Sequence, residues 1–297
     1  MNINRKTSDS LLQLVRSAIL EAGIEAMNWF GDRDISIASK ADGSPVSIAD
    51  IKINKILFTR LCEGFPSAAW LSEESKDNLN RLGSDWVWII DPLDGTKEFT
   101  KVIPQFAISI GLTYKQQPYL GAVYNPATHE GGVGFAEGPS FFWGNSTRTN
   151  LPANLSSSTV SISRTEVEDG SIVPHLELFK EARPIGSVAY KLLRVATGAE
   201  NLTFSVQPKS EWDVCGGIAL LRSQKMDYYR FDKNPVKFNQ RHTRINSGAV
   251  AGNPHLSSQL LGQFEKNPEF STVFNSRAQH HGHDVSNTKY VQGCAPR

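Results

Sequence analysis

The stretch WVWIIDPLDGTKEF, residues 86–99, constrains this chain more than any other. Five apolar residues, enough for a buried strand, run directly into two aspartates three positions apart, with glycine and threonine following at once. Trp88, Ile89 and Ile90 should carry Asp91 to the carboxyl end of a central strand, where layered α/β proteins bring helix starts and ligands together. Asp94 then falls where a helix N-cap would stand, and the amides of Gly95 and Thr96 would face an anion such as phosphate. Taken alone, D-P-L-D-G-T is also the composition of an ordinary tight turn. Two carboxylates converging within a few ångströms repel unless a cation lies between them. Mg²⁺ suits such a place, because it takes oxygen ligands and commonly combines one or two carboxylates with a substrate phosphate.

Two further stretches repeat the pattern of an apolar approach ending in acid. WLSEES, residues 70–75, offers Glu73 and Glu74, which also read as a solvated acidic loop. EWDVCGG, residues 211–217, places Asp213 after Trp212 and before a helix of small residues. Asp213 reads equally as an N-cap or as a metal ligand, and both hold together if its outer oxygen points away from the helix. The paired Gly216 and Gly217 would let that helix pack closely.

The rest of the chain supplies an α/β frame. Leu11, Leu12, Val15, Ala18, Ile19, Ala22, Ala26 and Trp29 form one helical stripe, and Ala49, Ile53, Ile56, Leu57 and Leu61 form a second, with Asp50 in its first turns. Strands are expected at WVWII, FAISIGLTY, PYLGAVYNP, GGVGFAEG and PSFFWG. A polar run over residues 144–159 reads as a linker, dividing a first domain, 1–150, from a second, 151–275. Strands and helices alternate after it, with SVAYKLLRVATG a helix stopped by Gly198. Residues 276–297 read as a disordered tail, whose His280, His281 and His283 lack the rigid surroundings a metal site needs.

Charge and composition exclude several classes of function. Thirty-one basic residues face 30 acidic ones, so no field suits a nucleic acid polymer or an anionic membrane, and phosphate recognition must be local. Cys62, Cys215 and Cys294 form no C-x-x-C pair, which points away from a disulfide framework or zinc knuckle and toward a reducing cytoplasm. The N-terminus lacks the pattern of a signal peptide, and no window approaches the about 20 apolar residues of a membrane span.

KADGSPVSIAD, SEES, WIIDPLDGT and EWDVCGG, in this order and at these separations, resemble the inositol monophosphatase superfamily of Mg²⁺-dependent, lithium-sensitive phosphatases. KADGSPVSIAD, DGTKEF and EWD are most similar to its 3′(2′),5′-bisphosphate nucleotidases of the CysQ type. The resemblance extends over residues of roughly 5–255. It implies a layered α-β-α-β-α sugar-phosphatase-like fold in two subdomains, with two or three Mg²⁺ ions per site. It further implies that Glu73, Asp91, Asp94, Asp213 and the Leu93 carbonyl hold the metals, that Thr96 positions the attacking water, and that Asp50 is the hydrogen-bond partner of Thr96. Glu73, Asp50 and Thr96 are then the catalytic residues. Two Mg²⁺ ions about 3.5–4 Å apart generate hydroxide and stabilise the leaving oxygen, without a Cys or His nucleophile.

For the substrate, Gly95, Thr96 and the GSVAYK residues Ser187 and Lys191 are the candidates, with Lys191 reading equally as an exposed helix lysine. Lys40 and Asp42 could approach the phosphate from their loop. From Arg222 to Arg244, seven Lys/Arg against two Asp are interleaved with Tyr228, Tyr229, Phe231 and Phe238, which suits a second phosphate and a stacked base, or equally a solvated strand pair. Two departures bear on substrate choice: SRSH is replaced by SRTE, Ser163–Glu166, and RSQKMD replaces a glycine pair. Both are expected in substrate-facing or loop positions. The reading is a phosphatase for a small ester, with no polymer or membrane partner, as monomer or homodimer. The first candidate substrate is the 3′-phosphate of adenosine 3′,5′-bisphosphate or its sulfated relative, and the second is inositol phosphate or a sugar phosphate. A third possibility is a phosphatase-shaped binding protein without catalysis.

Overall fold

The computed structural model describes residues 5–32, 37–39, 45–144 and 152–266. Helix α1 (Arg5–Trp29) and helix α2 (Ile48–Gly64) enclose a short antiparallel hairpin, β1 (Ile37–Ser39) and β2 (Pro45–Ser47). A six-stranded sheet follows: β3 (Ala69–Ser72), β4 (Trp86–Asp94), β5 (Ala107–Tyr114), β6 (Gln117–Asn125), β7 (Glu130–Phe135) and β8 (Ser140–Trp143), in that spatial order, with helix α3 (Thr96–Thr100) after β4. Only β3 and β4 pair in parallel; the remaining neighbours are antiparallel.

The later part of the chain contributes β9 (Thr159–Ser163), α4 (Arg164–Glu168), β10 (Glu181–Ile185), α5 (Val188–Thr197), β11 (Leu202–Ser205), β12 (Lys209–Ser210), α6 (Glu211–Ser223), β13 (Asp227–Arg230), β14 (Arg244–Ile245), β15 (Ala249–Gly252) and α7 (Pro254–Lys266). Its main sheet runs β10-β9-β11-β15-β13, and β12 pairs with β14. Helix α5 ends at Gly198, whose φ of 80° takes the left-handed cap its sequence foretold.

Alternation along β4 shows why WVWII is apolar throughout. Trp88 and Ile90 enter the core beneath α1 and α2, while Val87 and Ile89 enter the core shared with α5 and α6. A strand covered on both faces has no polar side to show. A third core joins β9, β11 and β15 to α7 through Val160, Phe204, Val250, Leu256, Leu260 and Phe264. The layers therefore run α1/α2, sheet, α5/α6, sheet, α7, which is the α-β-α-β-α order the sequence implies.

Helix α6 lies unusually close to the first sheet. A Cβ built on Gly121 would stand 2.1 Å from the Gly216 carbonyl oxygen, and one on Gly111 would stand 2.3 Å from Cys215 Sγ. Glycine on both surfaces removes that obstacle and brings the first turn of α6, with Asp213, toward the end of β4.

Several sequence expectations shift by local chemistry. Strands β3 and β10 and the five-residue helix α4 are too short for periodicity to reveal, whereas α3 is the helical turn expected after the aspartates, begun one residue later. Much of the expected linker, residues 145–151, together with Lys40, Asp42, His280, His281, His283 and the tail, lies outside the described residues. Among the described residues no helix is long and apolar enough to cross a membrane.

Candidate active site

β4 does not end in a regular pair. Its register with β5 holds through Asp91 opposite Ser109 and resumes at Asp94 opposite Ala107, so Pro92 and Leu93 form an irregularity that redirects both aspartates. Asp91 is buried, and its Oδ1 accepts the amide of Leu93 at 3.0 Å. Gly95, at φ 95°, adopts the left-handed conformation that glycine tolerates, and α3 starts at Thr96.

Asp94 is not an N-cap of α3, as its position implied; that place belongs to Gly95. Its carboxylate closes a different helix, because its Oδ2 accepts Ser187 Oγ at 2.7 Å and the Ala189 amide at 2.6 Å in the first turn of α5. Ser187, the N-cap of α5, also accepts the Tyr190 amide at 3.0 Å. Asp213 likewise is not the N-cap of its helix. Ser210 holds that position, and Asp213 reaches back as the third helical residue to accept the Ser210 amide at 2.8 Å.

Asp50 and Thr96 meet as the resemblance implies. Asp50 Oδ2 accepts the Ser47 amide at 2.7 Å and the Ser47 hydroxyl at 2.5 Å, which closes the first turn of α2. Asp50 Oδ1 faces Thr96 Oγ1 at 3.1 Å, and the Leu93 carbonyl stands 3.2 Å from the same hydroxyl. Glu73 follows β3 and pairs its amide with the Ile90 carbonyl at 3.2 Å, while Ser72, Asn54 and Ser75 form a hydrogen-bonded belt behind it.

One cleft of ≈ 240 Å³ collects Glu73, Asp91, Leu93, Asp94, Gly95, Thr96, Ser187, Lys191 and Asp213. Asp50 stands behind Thr96, and Glu74 does not line the cleft. Burial raises the pKa of Asp94. Burial, together with the charges of Asp94 and Glu73, pushes Asp213 up to about 8. These acids resist ionising side by side, and a cation among them would lift the resistance. Among the described residues no three Asp, Glu, His or Cys side chains converge at metal-ligand spacing. Asp94 and Asp213 each spend Oδ2 on a protein donor.

Lys191 is neither exposed nor idle. Its Nζ is buried and donates to the carbonyls of Ile185 at 3.1 Å and Ser187 at 2.9 Å, clamping the turn that holds Asp94. Burial lowers its pKa to about 8. Glu166 is the clearer correction. Far from facing a substrate, its Oε1 accepts Ser205 Oγ and the amides of Val206 and Gln207, all at 2.9 Å, inside the second sheet. In the basic run, Phe238 is fully buried and Phe231 packs on Phe264, so neither ring is free to stack a base. Arg222, Arg230 and Lys233 are paired with Asp227, Asp232 and Glu265.

Ser163, Arg164 and Thr165 of SRTE, a stretch expected in a substrate-facing or loop position, line the cleft; Lys97 and Glu98 line it without having been singled out from the sequence, and Gln105 stands behind them. Glu98 and Lys97 lie on a helix too short to show a face, and Gln105 sits in a loop.

Comparison with known proteins agrees with this geometry. The model of the inositol monophosphatase family matches residues 8–269. The chain is 30% identical to the 3′(2′),5′-bisphosphate nucleotidase CysQ of Escherichia coli, over 81% of this chain and 97% of that one. It is 29% identical to the inositol-1-monophosphatase of Mesorhizobium japonicum, over 86% and 97%. The crystal structure of inositol monophosphatase II from Staphylococcus aureus superposes with a TM-score of 0.72 at 20% identity, covering 89% of this chain and 99% of that one. With the acid cleft, the five layers and a match over most of its length, the chain belongs to the inositol monophosphatase family, a family of metal-dependent phosphatases.

Proposed function

We propose that this protein is a Mg²⁺-dependent phosphatase that removes the 3′-phosphate of adenosine 3′,5′-bisphosphate, or of its sulfated relative, and releases inorganic phosphate. The observation that carries the hydrolytic reading is the Thr96–Asp50 pair beside a cleft that gathers Glu73, Asp91, Asp94 and Asp213. Glu73, Asp91, Asp94, Asp213 and the Leu93 carbonyl would hold the ions, since hard oxygen donors under mutual repulsion fit a small divalent cation. When bound, Mg²⁺ supplies an acidified water and charge stabilisation at the leaving oxygen.

The chain's own residues do the positioning. Ser47 fixes Asp50, Asp50 accepts the hydrogen bond of the Thr96 hydroxyl, and Thr96 Oγ1 is left with lone pairs to accept a hydrogen bond from the attacking water and aim its oxygen. Gly95 lets the phosphate approach the backbone, and the Gly186–Ser187 turn borders the same space. Among the described residues no Cys or His lines the cleft, consistent with direct attack by water.

The nucleotide assignment draws on the motif resemblance and on the CysQ relative. One observation favours the second reading, inositol phosphate or a sugar phosphate: among the described residues no aromatic ring lines the cleft to stack a base. A phosphate-release panel decides between them. It sets adenosine 3′,5′-bisphosphate and its sulfated form against inositol 1-phosphate and a hexose phosphate, with and without Mg²⁺, and with Li⁺ as the expected inhibitor. Fastest Mg²⁺-dependent release from the bisnucleotide supports the first assignment; turnover of inositol phosphate without it overturns that assignment. Silence on every ester would leave a binding protein without catalysis.

A further inference from the structure

We infer that Arg164, held by Gln105, recognises a second anionic group on the substrate and so sets a preference for bisphosphate esters over monophosphates. The inference rests on the phosphatase reading of the cleft and adds a residue that reads the part of the substrate not hydrolysed. Arg164 begins α4 at the end of β9 and lines the cleft together with the acids. Its Nη2 donates to Gln105 Oε1 at 2.5 Å, and the same oxygen accepts the Gly186 amide at 3.0 Å. Next in the chain, Ser187 donates to Asp94. Two protein hydrogen bonds and one turn therefore fix the guanidinium relative to the acids.

Among the described residues its charge is shared only with Glu98, in a loose ion pair. Gln105 is neutral, so it orients the guanidinium but cancels nothing. The nearest carboxylate, Glu98 Oε1, stands 4.0 Å from Arg164 Nε, beyond hydrogen-bond range. Nε itself makes no hydrogen bond although it is shielded from water. The side chain keeps 35% of its surface exposed, so the fork remains accessible. Among the other cations, Lys191 spends its protons on backbone carbonyls, Arg222, Arg230 and Lys233 are paired with carboxylates, and Lys97 lines the cleft as a point charge without a planar fork. A planar fork with open donors is suited to a phosphate in a way that a point charge is not. A monoester without a second anion gives this group nothing to hold.

The test uses two substrate pairs that differ only in the second phosphate. They are 3′-AMP against adenosine 3′,5′-bisphosphate, and inositol 1-phosphate against inositol 1,4-bisphosphate, on the full Mg²⁺-loaded chain. Wild type should favour the bisphosphate member of the pair it turns over. Arg164→Ala should cut kcat/KM for that member about 10- to 100-fold, the value of a charged hydrogen-bonded contact, with the loss in KM. The monophosphate should change by less than about 3-fold. Gln105 is a positioning residue: Gln105→Met, which lacks the acceptor, should reproduce part of the loss. Gln105→Glu, which keeps the acceptor but adds a neutralising charge, should spare the monophosphate and still weaken the preference. Equal losses on both members, or an unchanged preference in Arg164→Ala, would overturn the assignment. If wild type releases phosphate from none of the four, the phosphatase reading fails. Calorimetric affinities for each pair, compared between wild type and Arg164→Ala, then decide the role of Arg164 independently.

Discussion

Thr96 has one hydroxyl proton and two oxygens within reach of it, Asp50 Oδ1 and the Leu93 carbonyl. The carboxylate is the stronger acceptor, so the proton resides toward Asp50 and the hydroxyl oxygen faces outward as an acceptor. Thr96→Ala should lower kcat about 100- to 1,000-fold with little change in KM, whereas Thr96→Ser should retain most of the rate. Steady-state kinetics on the best ester checks both, and an equal rise in KM would mean that Thr96 binds substrate instead of orienting water. Asp213 yields a pH prediction. Its folded pKa is about 8, against an ordinary value of 3.8. The unfolded chain releases this proton near 3.8, the folded one near 8, so the folded state binds more protons in between. The contribution is present at low pH and is lost as pH rises between those values. Melting midpoints in EDTA should therefore fall from pH 5.5 to pH 8.0, and Asp213→Asn should flatten the trend. The sequence drew notice to Asp91 because it ends an apolar run, to Asp94 by its place before Gly-Thr, and to Asp213 by its place between Trp212 and a small-residue helix. It hid the Asp94 partner, Ala189, because 95 positions separate donor from acceptor and no local pattern joins them. Glu166 was misplaced for the same reason, since its three donors belong to the end of β11 and the residues after it.

Helix α6 depends on absent side chains. Gly111 and Gly121 on the sheet face α6, where Cys215 meets the first and Gly216 the second. Gly121→Ala would thrust a methyl onto the Gly216 carbonyl, and backbone cannot step aside as a flexible side chain can. The cost should be about 2 kcal/mol, read as a lower melting midpoint. Activity should fall at least about 10-fold, because Asp213 travels with its helix. A stability loss with full activity would show that the helix start holds its place independently. At this scale the sequence was informative wherever an element was long: α1, α2, β4 to β6, α5 and α6 follow from periodicity and their stop residues. Glu98 and Lys97 escaped because they sit on a helix of five residues, too short for one face to repeat.

Across the whole molecule, Arg81 joins parts of the chain that no sequence pattern connects. Its buried guanidinium reaches Asp77 at 2.6 Å, Asn239 Oδ1 at 2.7 Å and the Gln240 carbonyl at 2.9 Å. Glu211, at the start of α6, accepts the amides of Asn239 and Gln240 at 2.6 and 2.8 Å. Arg81→Met should cost about 3 kcal/mol, because it strands buried acceptors, and should weaken turnover by loosening the segment beneath Asp213. Chemical denaturation and kinetics on the same sample check both effects. A further consequence follows from Asp94, which leaves the first sheet and closes the first turn of a helix that lies between the two sheets. The wall on one side of the opening is thereby knotted to the wall on the other by a single carboxylate. Among the described residues that bond sets the spacing of the two walls as the chain folds, before any guest arrives.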